Sequence, residues 1–218
     1  MILKGATINF LGDSITHGVG ASSLDKGYVP VLEREFGLKK ANNYGISGSR
    51  IARQPVMTDN PFDQDFCLRM ATMDESADAV VVFGGTNDYG HGLAPLGVPS
   101  DRTPETFWGA CHYLMDGLMT RYVGKPILIL TPLHRLNEDR PKGDGGKPCS
   151  VASLRVYREI LMTVAQHYAL PVLDLYSVSG IQPEHPLCRE RLMPDGLHPS
   201  DEGYAILARK IGLFLQTL

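Results

Sequence analysis

Ser14 stands in Gly12-Asp13-Ser14, directly after the apolar run Ala6 to Leu11, and far along the chain Asp195-Gly196-Leu197-His198 sets an acid three residues before a histidine. A serine hydroxyl becomes a useful nucleophile when a base takes its proton, and a histidine serves best when a third group holds its tautomer. A strand that ends in a tight Gly-x-Ser turn lifts the hydroxyl to the rim of a sheet, where a base from elsewhere in the fold can reach it. If Pro194 to His198 forms a compact turn, the Asp195 carboxylate folds back onto the imidazole Nδ1. These types and spacings point to acyl transfer, with Ser14 as nucleophile, His198 as base and Asp195 as orienting acid.

Acyl transfer also needs hydrogen-bond donors aimed at the oxygen that turns negative in the tetrahedral intermediate. Asn43-Tyr44-Gly45-Ile46-Ser47-Gly48 follows a second strand-like segment, and Gly84-Gly85-Thr86-Asn87-Asp88 follows Ala79 to Phe83, the most strand-like stretch of the chain. Such turns supply backbone N–H groups and a side-chain amide. With these four blocks in order, the chain resembles the SGNH branch of the GDSL hydrolases, named for Ser, Gly, Asn and His. The resemblance spans Gly12 to His198. It implies Ser14 as nucleophile and His198 as base, with the N–H groups of Ser14 and Gly48 and the amide of Asn87 as oxyanion hole. Either glycine of the second block could donate, and the family pattern matches Gly48 better than Gly45. Position 17 is often acidic in such loops, so His17 is a departure. His17, Tyr89 and His91 each follow a motif block and are candidates to line the substrate pocket.

The elements that must position these groups are legible as alternation. Short apolar blocks at Ala6 to Leu11, Lys40 to Tyr44, Ala79 to Phe83, Pro126 to Thr131 and Pro171 to Leu175 read as five parallel strands. Between and after them, Tyr28 to Phe36, Phe62 to Met73, Pro104 to Arg121, Val151 to His167 and Asp201 to Leu215 carry helical periodicity. Alternating strands and helices predict an α/β doubly wound sheet covered on both faces, with a flavodoxin-like order. The resemblance implies the same three-layer α/β/α sandwich. Ligands of such sheets bind beyond the carboxyl ends of the strands. Ser14, Gly48 and Asn87 all fall there, and His198 returns to that edge just before the last helix.

The 218 residues, 43% hydrophobic, suit one core, and residues 1–218 are expected to form a single domain. A net charge of −3 without a Lys/Arg run gives no footprint for nucleic acid. No segment approaches the roughly 18 apolar residues of a membrane span. A signal peptide does not fit, because its removal would take Ser14 with it. Cys67, Cys111, Cys149 and Cys188 lack metal-ligand spacing and read as free thiols. These features predict a cytoplasmic protein acting on a small ester, without metal or organic cofactor. A homo-oligomer is compatible with them.

Other readings are weaker. A Ser14 turn holding a flavin phosphate would make the chain a binding module, but it lacks a Gly-x-Gly-x-x-Gly loop and leaves Asp195 and His198 unexplained. No Gly-x-Ser-x-Gly elbow occurs. Asp13 and Asp88 read as carboxylates that hold their turns. Asp174 rivals Asp195 as the acid, more weakly for its distance from His198. His112 and His167 fall within helices, and Phe107 and Trp108 suit a core or an interface. The polar connection Leu133 to Ser150, after the fourth strand, is expected either to overhang the active edge as a mobile lid or substrate wall, or to be a plain solvated loop. Its polarity favours a short acyl group on a polar alcohol such as a sugar. A lysophospholipase or thioesterase for longer chains is the alternative.

Overall fold

The computed structural model describes residues 1–147 and 151–218. Five parallel strands form one sheet: β1 (Thr7–Gly12), β2 (Lys40–Gly45), β3 (Ala79–Phe83), β4 (Ile127–Leu130) and β5 (Val172–Leu173), in the order β2-β1-β3-β4-β5. This is the flavodoxin-like order, and the fold is α/β with helices on both faces, as the alternation predicts.

The pleat divides the strand side chains between two cores. Leu11, Val80, Val82, Ile127 and Ile129 pack with Phe66 and Cys67 of α3 (Phe66–Arg69), with Leu114 and Leu118 of α5 (Phe107–Arg121), and with Leu161 and Val164 of α6 (Leu154–His167). Ile8, Phe10, Val81, Leu128 and Leu130 face the other way, against Leu32 of α2 (Tyr28–Phe36) and Leu207 and Ile211 of α9 (Asp201–Leu215). The three central strands are largely apolar on both sides because both sides are covered, buried Asn9 of β1 being the polar exception in their interior. β2 is the polar edge, and Asn42 there donates to buried Asn9 of β1 at 2.9 Å. Gly212 lets α9 lie close on α2, since a Cβ there would stand 2.1 Å from the Phe36 ring.

Several predicted elements differ in extent, the helix expected from Val151 among them, which begins at Leu154. The segment Phe62 to Met73 is a broken element, with a 3₁₀ turn at Pro61–Asp63, α3, and a second 3₁₀ turn at Met70–Thr72. Asp65 breaks it by capping α3, its carboxylate accepting from the N–H of Leu68 at 2.7 Å. The helix expected from Pro104 begins at Phe107, where Thr106 caps the N–H of Gly109. β5 ends at Leu173 because Asp174 turns the chain into α7 (Leu175–Val178), its carboxylate held by Arg158 and Thr131. Four short helices were not foreseen: α7 and, besides it, α1 (Ser14–His17), α4 (Thr86–Gly90) and α8 (Pro186–Leu192).

Candidate active site

Gly12 pairs with Gly45 on one side and with Phe83 on the other, so the turns after β1, β2 and β3 leave the sheet side by side. Ser14 opens α1 immediately after β1. Asp13 caps that helix, accepting from the N–H of Ile15 at 2.9 Å. Burial pushes the Asp13 carboxyl up to about 7, opposed by the Ile15 N–H and reinforced by Asp88.

His198 Nε2 lies 3.0 Å from Ser14 Oγ, and His198 Nδ1 lies 2.6 Å from Asp195 Oδ2. The other Asp195 oxygen accepts the N–H groups of Leu197 at 2.8 Å and His198 at 2.7 Å, the compact turn that the spacing suggests. Partial burial raises the Asp195 carboxyl. The His198 N–H, its ring and the Leu197 N–H outweigh that and hold it below its ordinary value. With Nδ1–H given to Asp195, the free lone pair at Nε2 faces the Ser14 hydroxyl, the arrangement a general base requires.

The donors gather on the same edge. Gly48 has φ +79°, in the left-handed region. Neither its N–H nor that of Ser14 has an acceptor among the described residues. Asn87 is buried and donates one amide hydrogen to Ser49 O at 3.0 Å, leaving its second hydrogen free. Asp88, also buried, accepts from the N–H groups of Ile51 and Ala52 at 2.9 Å each and so ties the second block to the third. Its burial raises the carboxyl to about 6, against those two bonds.

The pocket candidates separate. His17 is exposed and lines a groove of about 420 Å³ with Asp25, Glu33, Ala41 and Asn43, a groove that neither Ser14 nor His198 lines. Tyr89 is fully buried, and its hydroxyl donates to Arg140 O at 3.0 Å and to Asn137 O. It anchors the loop after β4 instead of presenting its ring to the cleft. His91 is exposed, and its N–H donates to Asn87 O at 3.0 Å, placing it beside the turn that carries Asn87.

That loop is pinned along its described length. Leu136 N–H donates to Gly196 O at 2.8 Å, Asp144 N–H to Gly90 O at 2.8 Å, and Lys147 Nζ to Asp88 O at 2.8 Å, while Arg135 pairs with Asp144. Residues 133–147 thus form a strap bonded to α4 and to the turn that carries His198. The end of the predicted connection, at 148–150 with Cys149, lies outside the described residues.

Asp174 is engaged elsewhere. The Arg158 guanidinium, with Thr131, holds its carboxyl down to about 2, against a smaller effect of burial.

Sequence reasoning missed the supports. Arg69 is buried, and its guanidinium donates to Gly12 O at 3.0 Å, Tyr44 O at 2.5 Å, Gln64 O at 2.9 Å and Ser49 Oγ at 2.8 Å. It thereby staples the ends of β1 and β2 beneath Ser14, and desolvation lowers it to about 10. Nothing in a lone arginine on a short helix signals this. Gly20 (φ +92°) is a second support, for a Cβ there would lie 2.7 Å from the Cβ of His198. Among the described residues no helix is long and apolar enough to cross a membrane, and no group of three or more His, Cys, Asp or Glu could hold a metal ion.

The chain is similar over nearly its whole length to solved structures. One is 32% identical over 100% of this chain and 99% of its own, with a TM-score of 0.85. A protein from Lactobacillus plantarum is 29% identical, with 98% of each chain covered and a TM-score of 0.83. A carbohydrate acetylesterase family member from Sinorhizobium meliloti is 19% identical over 97% of this chain and 98% of its own, at a TM-score of 0.65, a likeness of fold alone. No curated protein matches the sequence. The GDSL-like lipase/acylhydrolase family model matches residues 10–206. By that match, which runs from the strand before Ser14 to beyond His198, the chain belongs to the GDSL-like lipase/acylhydrolase family and is a carboxylic ester hydrolase.

Proposed function

We propose that the protein, acting as one domain, hydrolyses short acyl esters of polar alcohols, such as acetylated sugars, through an acyl-enzyme on Ser14. The observation that carries this is the unbroken relay from Asp195 to His198 to Ser14 at 2.6 and 3.0 Å. His198 Nε2 takes the Ser14 proton as Oγ attacks the ester carbonyl. The oxyanion rests on the N–H groups of Ser14 and Gly48 and the free amide hydrogen of Asn87. His198 then gives its proton to the departing alcohol, and in the second half a water, deprotonated by His198, releases the acid from Ser14. The preference for a short acyl group is supported by the polar, pinned strap over the active edge. The carbohydrate acetylesterase family member that shares the fold points the same way.

A second reading rests on the segment after the second block, where Val56, Met57 and Phe62 are exposed apolar side chains. Phe62 lies 3.3 Å from where a Cβ on Gly48 would stand. Such a lip would suit a longer acyl chain, as in a lysophospholipase or thioesterase. Hydrolysis of p-nitrophenyl acetate, butyrate, octanoate and palmitate by wild type and Ser14→Ala decides between them. Ser14-dependent turnover is expected to peak at acetate, and a peak at octanoate or beyond would establish the longer-chain reading. Turnover that survives Ser14→Ala would remove the assigned nucleophile.

A further inference from the structure

His91 and Arg50 form a pair beside the oxyanion turn that the hydrolytic relay does not use. Arg50 is buried, at 5% exposure, and its guanidinium is locked in place. One amino group pairs with Asp63, whose other oxygen accepts from the N–H of Thr58 at 2.9 Å. The second, Nη1, reaches Gly48 O at 3.3 Å and His91 Nδ1 at 3.5 Å. The Phe62 ring covers the guanidinium, 5.2 Å from Cζ. The same nitrogen thus touches the glycine of the oxyanion turn and the imidazole at the rim.

A guanidinium has hydrogens to give and no lone pair to offer. In this 3.5 Å contact the nitrogen of His91 that faces it is the acceptor, which leaves Nδ1 bare and puts the proton on Nε2. His91 is exposed, and Nε2 has no partner among the described residues. Charge reinforces the geometry. Partial desolvation and then Arg50 hold the imidazole below its ordinary value, Arg135 and Lys147 acting with them and Asp144 against. In that form His91 leaves Nε2–H as its one ring donor, at an exposed position beside Asn87.

We propose that His91 is a specificity-determining residue, its Nε2–H donating to an oxygen acceptor that the substrate carries a few atoms from the scissile ester, and that Arg50 is the positioning residue that fixes this tautomer. The substrate class is a polyol or sugar ester, whose neighbouring hydroxyl, ring or ester oxygens supply that acceptor, in preference to an ester of a plain hydrocarbon. This deepens the esterase reading given above and rests on it.

The test compares xylose tetraacetate, rich in acceptors, with phenyl acetate, which has none beyond the ester, for wild type, His91→Phe, His91→Gln and Ser14→Ala. One neutral hydrogen bond corresponds to roughly 3- to 10-fold in kcat/KM. His91→Phe is expected to lower the ratio of sugar to phenyl ester by that factor, and His91→Gln, which restores a donor, to recover part of it. The ring nitrogens are read separately by ¹⁵N NMR. Wild type should show the neutral Nε2–H form, and Arg50→Met, checked for folding by circular dichroism, should show a mixture of tautomers. Equal losses on both esters in His91→Phe, or an Nδ1–H ring in wild type, would overturn the inference while Ser14-dependent turnover left the esterase reading standing. No Ser14-dependent turnover of either ester would overturn both.

Discussion

Gly20→Ala isolates the position of His198 from the other groups of the proposed relay. A Cβ at residue 20 would stand 2.7 Å from both His198 Cβ and Pro199 O, where ordinary contact begins at 3.4 Å. One side must therefore retreat by about 0.7 Å. The turn that carries His198 is also closely packed at Gly196, where an added Cβ would meet the side chain of Leu136 at 2.4 Å. Ser14 Oγ and His198 Nε2 are 3.0 Å apart, and if the displacement falls along that line the gap opens to roughly 3.7 Å, beyond hydrogen-bond reach. Misplacement of about 1 Å at reacting groups costs on the order of 10²-fold, so kcat on p-nitrophenyl acetate is expected to fall about 10- to 100-fold. The left-handed φ of +92° adds a backbone penalty of about 1–2 kcal/mol that lowers Tm. Gly124→Ala carries the same kind of penalty at φ +74° with nothing within 4 Å of the new Cβ, and so serves as the control. The expected pattern is a lowered Tm in both variants and a lowered kcat in Gly20→Ala alone. A Gly20→Ala enzyme that kept kcat within about threefold of Gly124→Ala would refute the claim that this close approach sets the histidine.

Asn87→Ala removes one oxyanion donor and should lower kcat by about 10² to 10³ with a smaller change in KM, whereas a change confined to KM would assign Asn87 to ground-state binding. Asp195→Asn should lower kcat by on the order of 10² to 10⁴ by freeing the His198 tautomer, and Asp174→Asn should leave kcat within a few-fold while lowering Tm; the reverse ranking would exchange their roles. Buried Asp13 and Asp88 act on the pH dependence of stability in the opposite direction to the partly buried Asp174. Asp13 and Asp88, raised to about 7 and about 6, stabilise the fold fully below the ordinary value of about 3.9, and their contribution is lost as pH rises through 6 to 7. Asp174, held at about 2, contributes above about 3.9 and loses its contribution as pH falls toward 2. Thermal melts from pH 2 to 8 should show a flatter alkaline-side decline in Asp13→Asn, and in Arg158→Ala a lower Tm near neutral pH with a flatter decline toward pH 2, and parallel curves for all three proteins would contradict these assignments.

Local pattern alone determined much of this protein. Val80 to Val82 read as buried strand because both faces are covered, and the alternation of apolar blocks with helical periodicity predicted a five-stranded doubly wound sheet in this order. Gly12-Asp13-Ser14 and the Asp195–His198 spacing were legible because turn chemistry and short-range geometry are written in adjacent residues, whereas Gly48 and Asn87 were singled out through the resemblance to the family. Tertiary structure decided what depends on approach between distant segments. Ser14 and His198, 184 positions apart, meet only because Gly20 admits the turn that carries the histidine. Arg69 and Arg50 look like ordinary surface arginines in sequence, yet each is buried, since its partners are backbone carbonyls and carboxylates contributed by other turns. Tyr89 and His91 stood equal as pocket candidates two residues apart. The end of α4 sends one ring inward to hold the strap and leaves the other at the rim, a division that follows from packing and that no pattern of residue types encodes.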